Sequence, residues 1–321
     1  MPYRVAMVSE HASPLSALGG VDRGGQNVYV GSLACHLAEL GHEVDIFTRR
    51  EDARLPHEIE LAPRVRVIHV PAGPPEPLAK EDLLPHMEGF ADWMIDRMAR
   101  ERRPYDVVHA NFWMSGLVGF RIKAALRVPY VVTFHALGRV RRQHQGAEDR
   151  FPDDRFDIED QVVVDADRII AECPQDEADL ISLYAAQPGK LAMIPGGFDP
   201  REFAPESRQL ARLTLGLPLE GRLLLSVGRL VPRKGVDTLI RALAVARREH
   251  AIDTRLIIVG GPATGFDSDP EVTRLRSIAD SEGVTDAVDF AGPRGREELR
   301  HFYNAADIFI STPAYEPFGM T

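Results

Sequence analysis

Short apolar runs rich in β-branched residues alternate along the chain with segments whose apolar residues recur at helical spacing. The runs at 4–9, 43–48, 65–70, 106–110, 130–134, 168–171 and 190–194 predict one series of strands, and those at 222–227, 255–259, 287–291 and 307–311 a second. Several are apolar nearly throughout, the pattern of strands covered on both faces. Between them, Val30, Leu33, Ala34 and Leu37 fall at i, i+3, i+4 and i+7, with Gly41 after them as a helix stop. Leu239, Ala242, Leu243 and Ala246 repeat the pattern. This alternation predicts an α/β fold of doubly wound parallel sheets. Two series predict two Rossmann-like units facing across a cleft. The division falls in the stretch 199–217, where Pro200 and Pro205 interrupt the periodicity, so that 1–205 form one unit and 206–321 the other.

Composition narrows the classes. The 321 residues suffice for two cores, and 44% hydrophobic with 27% charged residues is the balance of a soluble globular protein. No apolar run is long enough to span a bilayer. The N-terminus enters a strand-like segment at once, so no secretory leader is expected. Cys35 and Cys173, the two cysteines, read as reduced residues of a cytoplasmic protein. A formal charge of −10 argues against nucleic acid and anionic membranes as partners. An anionic ligand would therefore need a local basic pocket.

Open α/β sheets bind ligands beyond the carboxyl ends of their strands, and four clusters lie there. The first is Gly19-Gly20-Val21-Asp22-Arg23-Gly24-Gly25-Gln26-Asn27, before the first helix. Its glycines allow close backbone approach, and a helix N-terminus favours phosphate; a plain flexible loop fits equally well. The spacing is not that of a dinucleotide-binding G-x-G-x-x-G, which lowers the rival reading of an NAD-dependent oxidoreductase. The second runs from Thr133 and His135 to Gly138 and Arg139, with Arg141, Arg142 and His144 beyond. A lone histidine is more often structural, whereas the arginines fit either anion capture or a solvated basic loop. The third, Gly228-Arg229-Leu230-Val231-Pro232-Arg233-Lys234-Gly235, places the cations Arg229 and Lys234 on one short loop, an arrangement suited to clamping a diphosphate. The fourth is Tyr315-Glu316-Pro317-Phe318-Gly319-Met320, a carboxylate and a turn suited to sugar hydroxyls or, equally, a surface turn.

In this order the four clusters resemble the retaining glycosyltransferases of family 4, which have the GT-B fold. Ser13-Pro14-Leu15 and Gly24-Gly25-Gln26-Asn27-Val28-Tyr29-Val30 are similar to two groups within it, the inositol-phosphate glycosyltransferases of mycothiol synthesis and the sucrose and sucrose-phosphate synthases. The resemblance implies that Arg229 and Lys234 hold the donor diphosphate. It places Glu316 on hydroxyls of the transferred sugar, beside Phe318, Gly319 and Met320. It assigns Arg294 to the segment that reads the base, Gly24 and Gly25 to the donor phosphate, and His135 to the donor sugar. Gln26, Asn27, Lys80, Arg139 and Arg155 fall on the acceptor side. Phe112 and Ala136 stand where the inositol-phosphate group carries hydroxyls, which counts against inositol phosphate, and the His135-to-Arg139 run shifts weight towards the sucrose-phosphate synthase side.

The implied activity is retaining transfer of a hexose, glucose or N-acetylglucosamine, from a nucleotide-diphosphate sugar, with UDP as the expected nucleotide, to a sugar phosphate or a neutral sugar. No cofactor or metal is expected, because cations and helix termini neutralise the diphosphate. No carboxylate is evident beside His135, so the resemblance implies attack on the donor face, with the leaving phosphate taking the acceptor's proton. The partners expected are the nucleotide-sugar donor and the small acceptor, with a homodimer the assembly allowed for. The resemblance also implies that the chain stops three residues before a second donor-site glutamate and leaves the second unit incomplete. Two rivals stay open: a GT-B nucleotide-sugar epimerase and a non-catalytic nucleotide-sugar-binding fragment.

Overall fold

A computed structural model describes residues 2–15, 24–316, 319 and 321. Among these, 2–15 and 24–196 form one compact unit, and 197–316 with 319 and 321 a second.

The first unit holds strands β1 (Arg4–Val8), β2 (Glu43–Arg49), β3 (Glu58–Ala62), β4 (Val65–Val70), β5 (Val107–Asn111), β6 (Tyr130–Thr133), β7 (Arg168–Ala171) and β8 (Leu191–Met193). Its helices are α1 (Gly25–Glu39), α2 (Met87–Ala99), α3 (Trp113–Leu126), α4 (Gly138–Gln145), α5 (Asp154–Asp165) and α6 (Pro174–Tyr184). The strands form one sheet in the order β3-β4-β2-β1-β5-β6-β7-β8. The second unit runs α7 (Arg208–Thr214), β9 (Arg222–Val227), α8 (Val236–His250), β10 (Thr254–Val259), α9 (Pro270–Ser281), β11 (Val288–Gly292), α10 (Arg296–Ala305) and β12 (Ile308–Phe309). Its sheet has the order β11-β10-β9-β12, parallel throughout.

The apolar runs become strands for the reason the pattern suggests. Every residue of β1 is buried, and Val5, Met7, Val30, Ala34, Val44, Ile46, Val65 and Val67 make one core layer. Gly41 ends α1 with φ +96, a conformation side-chain-bearing residues avoid. In α8 the buried stripe is Val236, Leu239, Ile240, Leu243 and Ala244, while Ala242 faces outward, one position from the expected stripe. Among the described residues, the one strand that the apolar pattern does not predict is β3. It is a short edge strand carrying Glu58 and Glu60, paired antiparallel with β4 through a turn at Arg64. A half-exposed, charged edge strand lacks the continuous apolar run that marks its neighbours.

Candidate active site

The order β1-β5-β6-β7 brings four distant segments together at the carboxyl edge of the first sheet. Glu10 follows β1, Asn111 ends β5, His135 lies just past β6, and Glu172 follows β7. His135 Nδ1 lies 3.1 Å from Glu172 Oε2, and its Nε2 lies 3.1 Å from Asn111 Oδ1. Glu172 is buried, so a carboxylate does stand beside His135, contrary to the expectation from sequence. The two residues are 37 positions apart, and only the pairing of β6 with β7 makes them neighbours.

Glu10, fully buried, accepts from Ser115 Oγ and lies 2.8 Å from His11 Nδ1. His11 packs edge-on against Phe112, with ring centroids 4.9 Å apart. Two carboxylate–imidazole pairs thus flank Asn111-Phe112. His109 is buried within β5, 2.9 Å from Thr133 Oγ1 through Nε2; burial, then the neighbouring His135, pushes its imidazole down to about 3. Burial pushes the Tyr29 phenol up to about 12 and the Asp176 carboxyl up to about 6. Asp176 accepts the Glu172 backbone N–H at 3.1 Å.

Gln26 and Asn27, expected on the acceptor side, both act as braces. The Gln26 amide donates to Ser9 Oγ and to the Asn111 carbonyl, each at 3.2 Å. Asn27 accepts from the Gly24 N–H at 3.0 Å and donates to the Ser13 carbonyl at 2.9 Å. Gly24 and Gly25 open α1, and a Cβ on Gly24 would meet nothing within 4 Å. Packing therefore does not require that glycine.

The arginines differ most from expectation. Arg139 makes a two-point ion pair with Asp160 at 2.5 and 2.7 Å, and its guanidinium lies over Tyr184. Arg141 and Arg142 both reach the buried Asp149. Arg155 is 1% exposed, donates to Glu159 at 2.7 Å and to the Ala136 carbonyl at 2.5 Å, and stacks among Phe112, Trp113 and Phe151. Glu159 in turn accepts the Gly138 N–H and the Tyr184 hydroxyl, which anchors the start of α4. A count of cations along the sequence misses these carboxylate partners, although the Arg155–Glu159 spacing of four within one helix was a readable signal. Lys80 sits half-buried in a short turn, Lys80–Asp82.

In the second unit, the loop after β9 and the segment after β12 are laced together. Thr312 Oγ1 donates to the Gly235 carbonyl at 2.8 Å, and the Ala314 N–H to the Arg233 carbonyl at 2.9 Å. Gly235 has φ +67, and a Cβ there would lie 2.0 Å from the Thr312 oxygen, so only glycine fits. Lys234 Nζ pairs with Glu316. The residue expected on the diphosphate and the residue expected on sugar hydroxyls are thus in contact, with Arg229 half-buried on the same loop. Arg294 is exposed past β11, 3.3 Å from Glu298, and Gly319 has φ +84. Phe318 and Met320 lie outside the described residues. Among the described residues no helix is long and apolar enough to cross a membrane, and no three His, Cys, Asp or Glu gather as metal ligands.

Two α/β units, each on a largely parallel sheet with polar clusters at its carboxyl edge, have the architecture of the GT-B glycosyltransferases. Residues 24–197 match the glycosyl transferase 4-like domain and 207–321 the glycosyl transferases group 1 family, and the chain belongs to this family. It is 39% identical to D-inositol 3-phosphate glycosyltransferase 2 of Catenulispora acidiphila, over 100% of this chain and 76% of that enzyme. It is 40% identical to the D-inositol 3-phosphate glycosyltransferase of Acidothermus cellulolyticus, over 99% of this chain and 72% of that enzyme. Among solved structures, sucrose-phosphate synthase of Thermosynechococcus elongatus is 31% identical with a TM-score of 0.87, over 99% of this chain and 77% of that one. Anabaena HepE, solved with UDP and glucose, shares the fold at 19% identity and a TM-score of 0.67, over 99% of this chain and 76% of that one.

Proposed function

We propose that this glycosyltransferase moves a hexose, glucose or N-acetylglucosamine, from a UDP-linked donor to a phosphorylated sugar or cyclitol, with retention at the anomeric carbon and without a metal. The observation that carries the donor half is the pairing of Lys234, on a glycine-bounded loop at a strand's carboxyl end, with Glu316 of the segment after β12. A diphosphate is a stronger partner for Lys234 than one carboxylate. Donor binding would take over the lysine and free Glu316 for the sugar hydroxyls. The names of the inositol-phosphate relatives and of the sucrose-phosphate synthase support a phosphorylated acceptor, and the UDP and glucose bound to HepE support the donor.

In the reaction, the acceptor oxygen bonds to the anomeric carbon as the bond from that carbon to the diphosphate oxygen breaks. The acceptor's proton passes to the leaving phosphate. Glu10 and Glu172 are each engaged by a histidine and buried, which disfavours either as a covalent nucleophile. Arg229 and Lys234 would stabilise the charge growing on the diphosphate, the kind of contribution that usually dominates catalysis.

A neutral sugar acceptor is the second reading, favoured by the carboxylate pairing of Arg139, Arg141, Arg142 and Arg155. A donor-by-acceptor screen read by product mass tests both. UDP-sugar and phosphorylated acceptors should give free UDP and a product heavier than the acceptor by one glycosyl residue, in the presence of a chelator. Equal turnover of phosphorylated and unphosphorylated acceptors would discard the first reading in favour of the second, and turnover with no nucleotide sugar would discard both.

A further inference from the structure

Two adjacent strand ends in the first unit carry backbone conformations that side-chain-bearing residues avoid. Phe112, after β5, has φ 89 and ψ 160, a region nearly confined to glycine. His135, after β6, has φ 57. Each is a strained conformation that persists only where the surroundings over-determine it. Around His135 they do. Its ring meets Asn111 at Nε2, Glu172 at Nδ1 and the edge of Tyr29, whose ring centroid is 4.8 Å away.

The orientation of Asn111 is itself determined. Its Nδ2 donates to the Val8 carbonyl at 3.3 Å and the His109 carbonyl at 3.2 Å, so Oδ1 faces His135. An amide oxygen only accepts, so His135 Nε2 carries a proton. Nδ1 and the Glu172 oxygen then hold one proton between them. Both ring nitrogens are engaged, and neither is placed to take a proton from an acceptor hydroxyl.

We propose that Glu172 is a positioning residue for glycosyl transfer: acting through His135, and together with Asn111, it locks the imidazole in one orientation as a rigid wall of the sugar site. This rests on the functional reading above. Rigid placement matters because a misplacement of about 1 Å in a reacting geometry costs about 100-fold in rate. The other titratable groups facing the ring are Tyr29 on α1, whose phenol stays protonated, His109 on β5, and Asp176 on α6 behind Glu172. None of these replaces the Nδ1 contact.

The test combines Glu172→Gln and Glu172→Asp, measuring kcat, KM for donor and acceptor, Tm, and the 15N resonances of the His135 ring. For Glu172→Gln we expect an unaltered Tm, a kcat lower by about 10- to 100-fold with KM within about twofold, and loss of the shared Nδ1 proton while Nε2 stays protonated. Glu172→Asp should recover part of kcat. An unchanged kcat in folded Glu172→Gln overturns the proposal, as does an unprotonated Nε2 in the unsubstituted protein. If Glu172→Gln does not fold, Glu172→Asp and the unsubstituted ring resonances decide. If the unsubstituted protein transfers no sugar from any donor tried, the functional reading fails while the ring resonances still judge the lock.

Discussion

Replacing Asp176 with asparagine should stabilise the first unit at neutral pH and leave it unchanged in mild acid. The Asp176 carboxyl is pushed up to about 6 from an ordinary 3.8, chiefly by burial and partly by the adjacent Glu172. The folded chain therefore holds this proton more tightly than the unfolded chain does. The group's contribution to stability is fully present below about pH 4 and is lost as pH rises through 6. Ionising it in the folded state costs about 3 kcal/mol. Contacts that favour the charge, such as the Glu172 N–H, are already contained in that value, so the net penalty stays at about 3 kcal/mol. Asp176→Asn removes the charge and keeps an oxygen for the Glu172 N–H. Both tryptophans, Trp93 and Trp113, lie in the first unit, so fluorescence during urea unfolding reports that unit. The variant's advantage should grow from near zero at pH 4 to about 3 kcal/mol by pH 7.5. A difference that stays constant across this range would refute the reasoning.

His109 has the opposite sign. Burial holds its imidazole down to about 3 from 6.5, so its contribution is complete above pH 6.5 and falls by about 2 kcal/mol by pH 5. His109→Gln should flatten that acid limb in the same fluorescence assay. Lys234→Ala should lower the transfer rate at least ~100-fold, the scale for one lost charge-stabilising donor, and an unchanged rate constant would remove Lys234 from the diphosphate. Arg155→Ala should cost about 3–5 kcal/mol, because it leaves Glu159 buried without its cation. A weakened acceptor KM at an intact Tm would instead place Arg155 on substrate.

Much of this architecture is determined locally. Whether Val5 to Val8 form a buried strand, or Val30 and Ala34 one face of a helix, depends on side-chain periodicity, which a linear sequence displays. The Gly228–Gly235 loop is local in the same way, so Lys234 stands out as a candidate donor-site cation from its immediate neighbours in the chain. The carboxylates of the first unit do not. Glu10, Asn111 and Glu172 are single residues in unremarkable contexts, and strand order alone makes them neighbours of one another and of His135. Strand order follows from how crossover helices cover the whole sheet, a property of total burial and not of any one segment. The same distinction explains the arginines. Arg139 reads as an available cation until the packing of α4 against α5 brings Asp160 to it across 21 residues. Ion pairing depends on distances of a few ångströms, and between residues this far apart in the chain only the tertiary fold sets those.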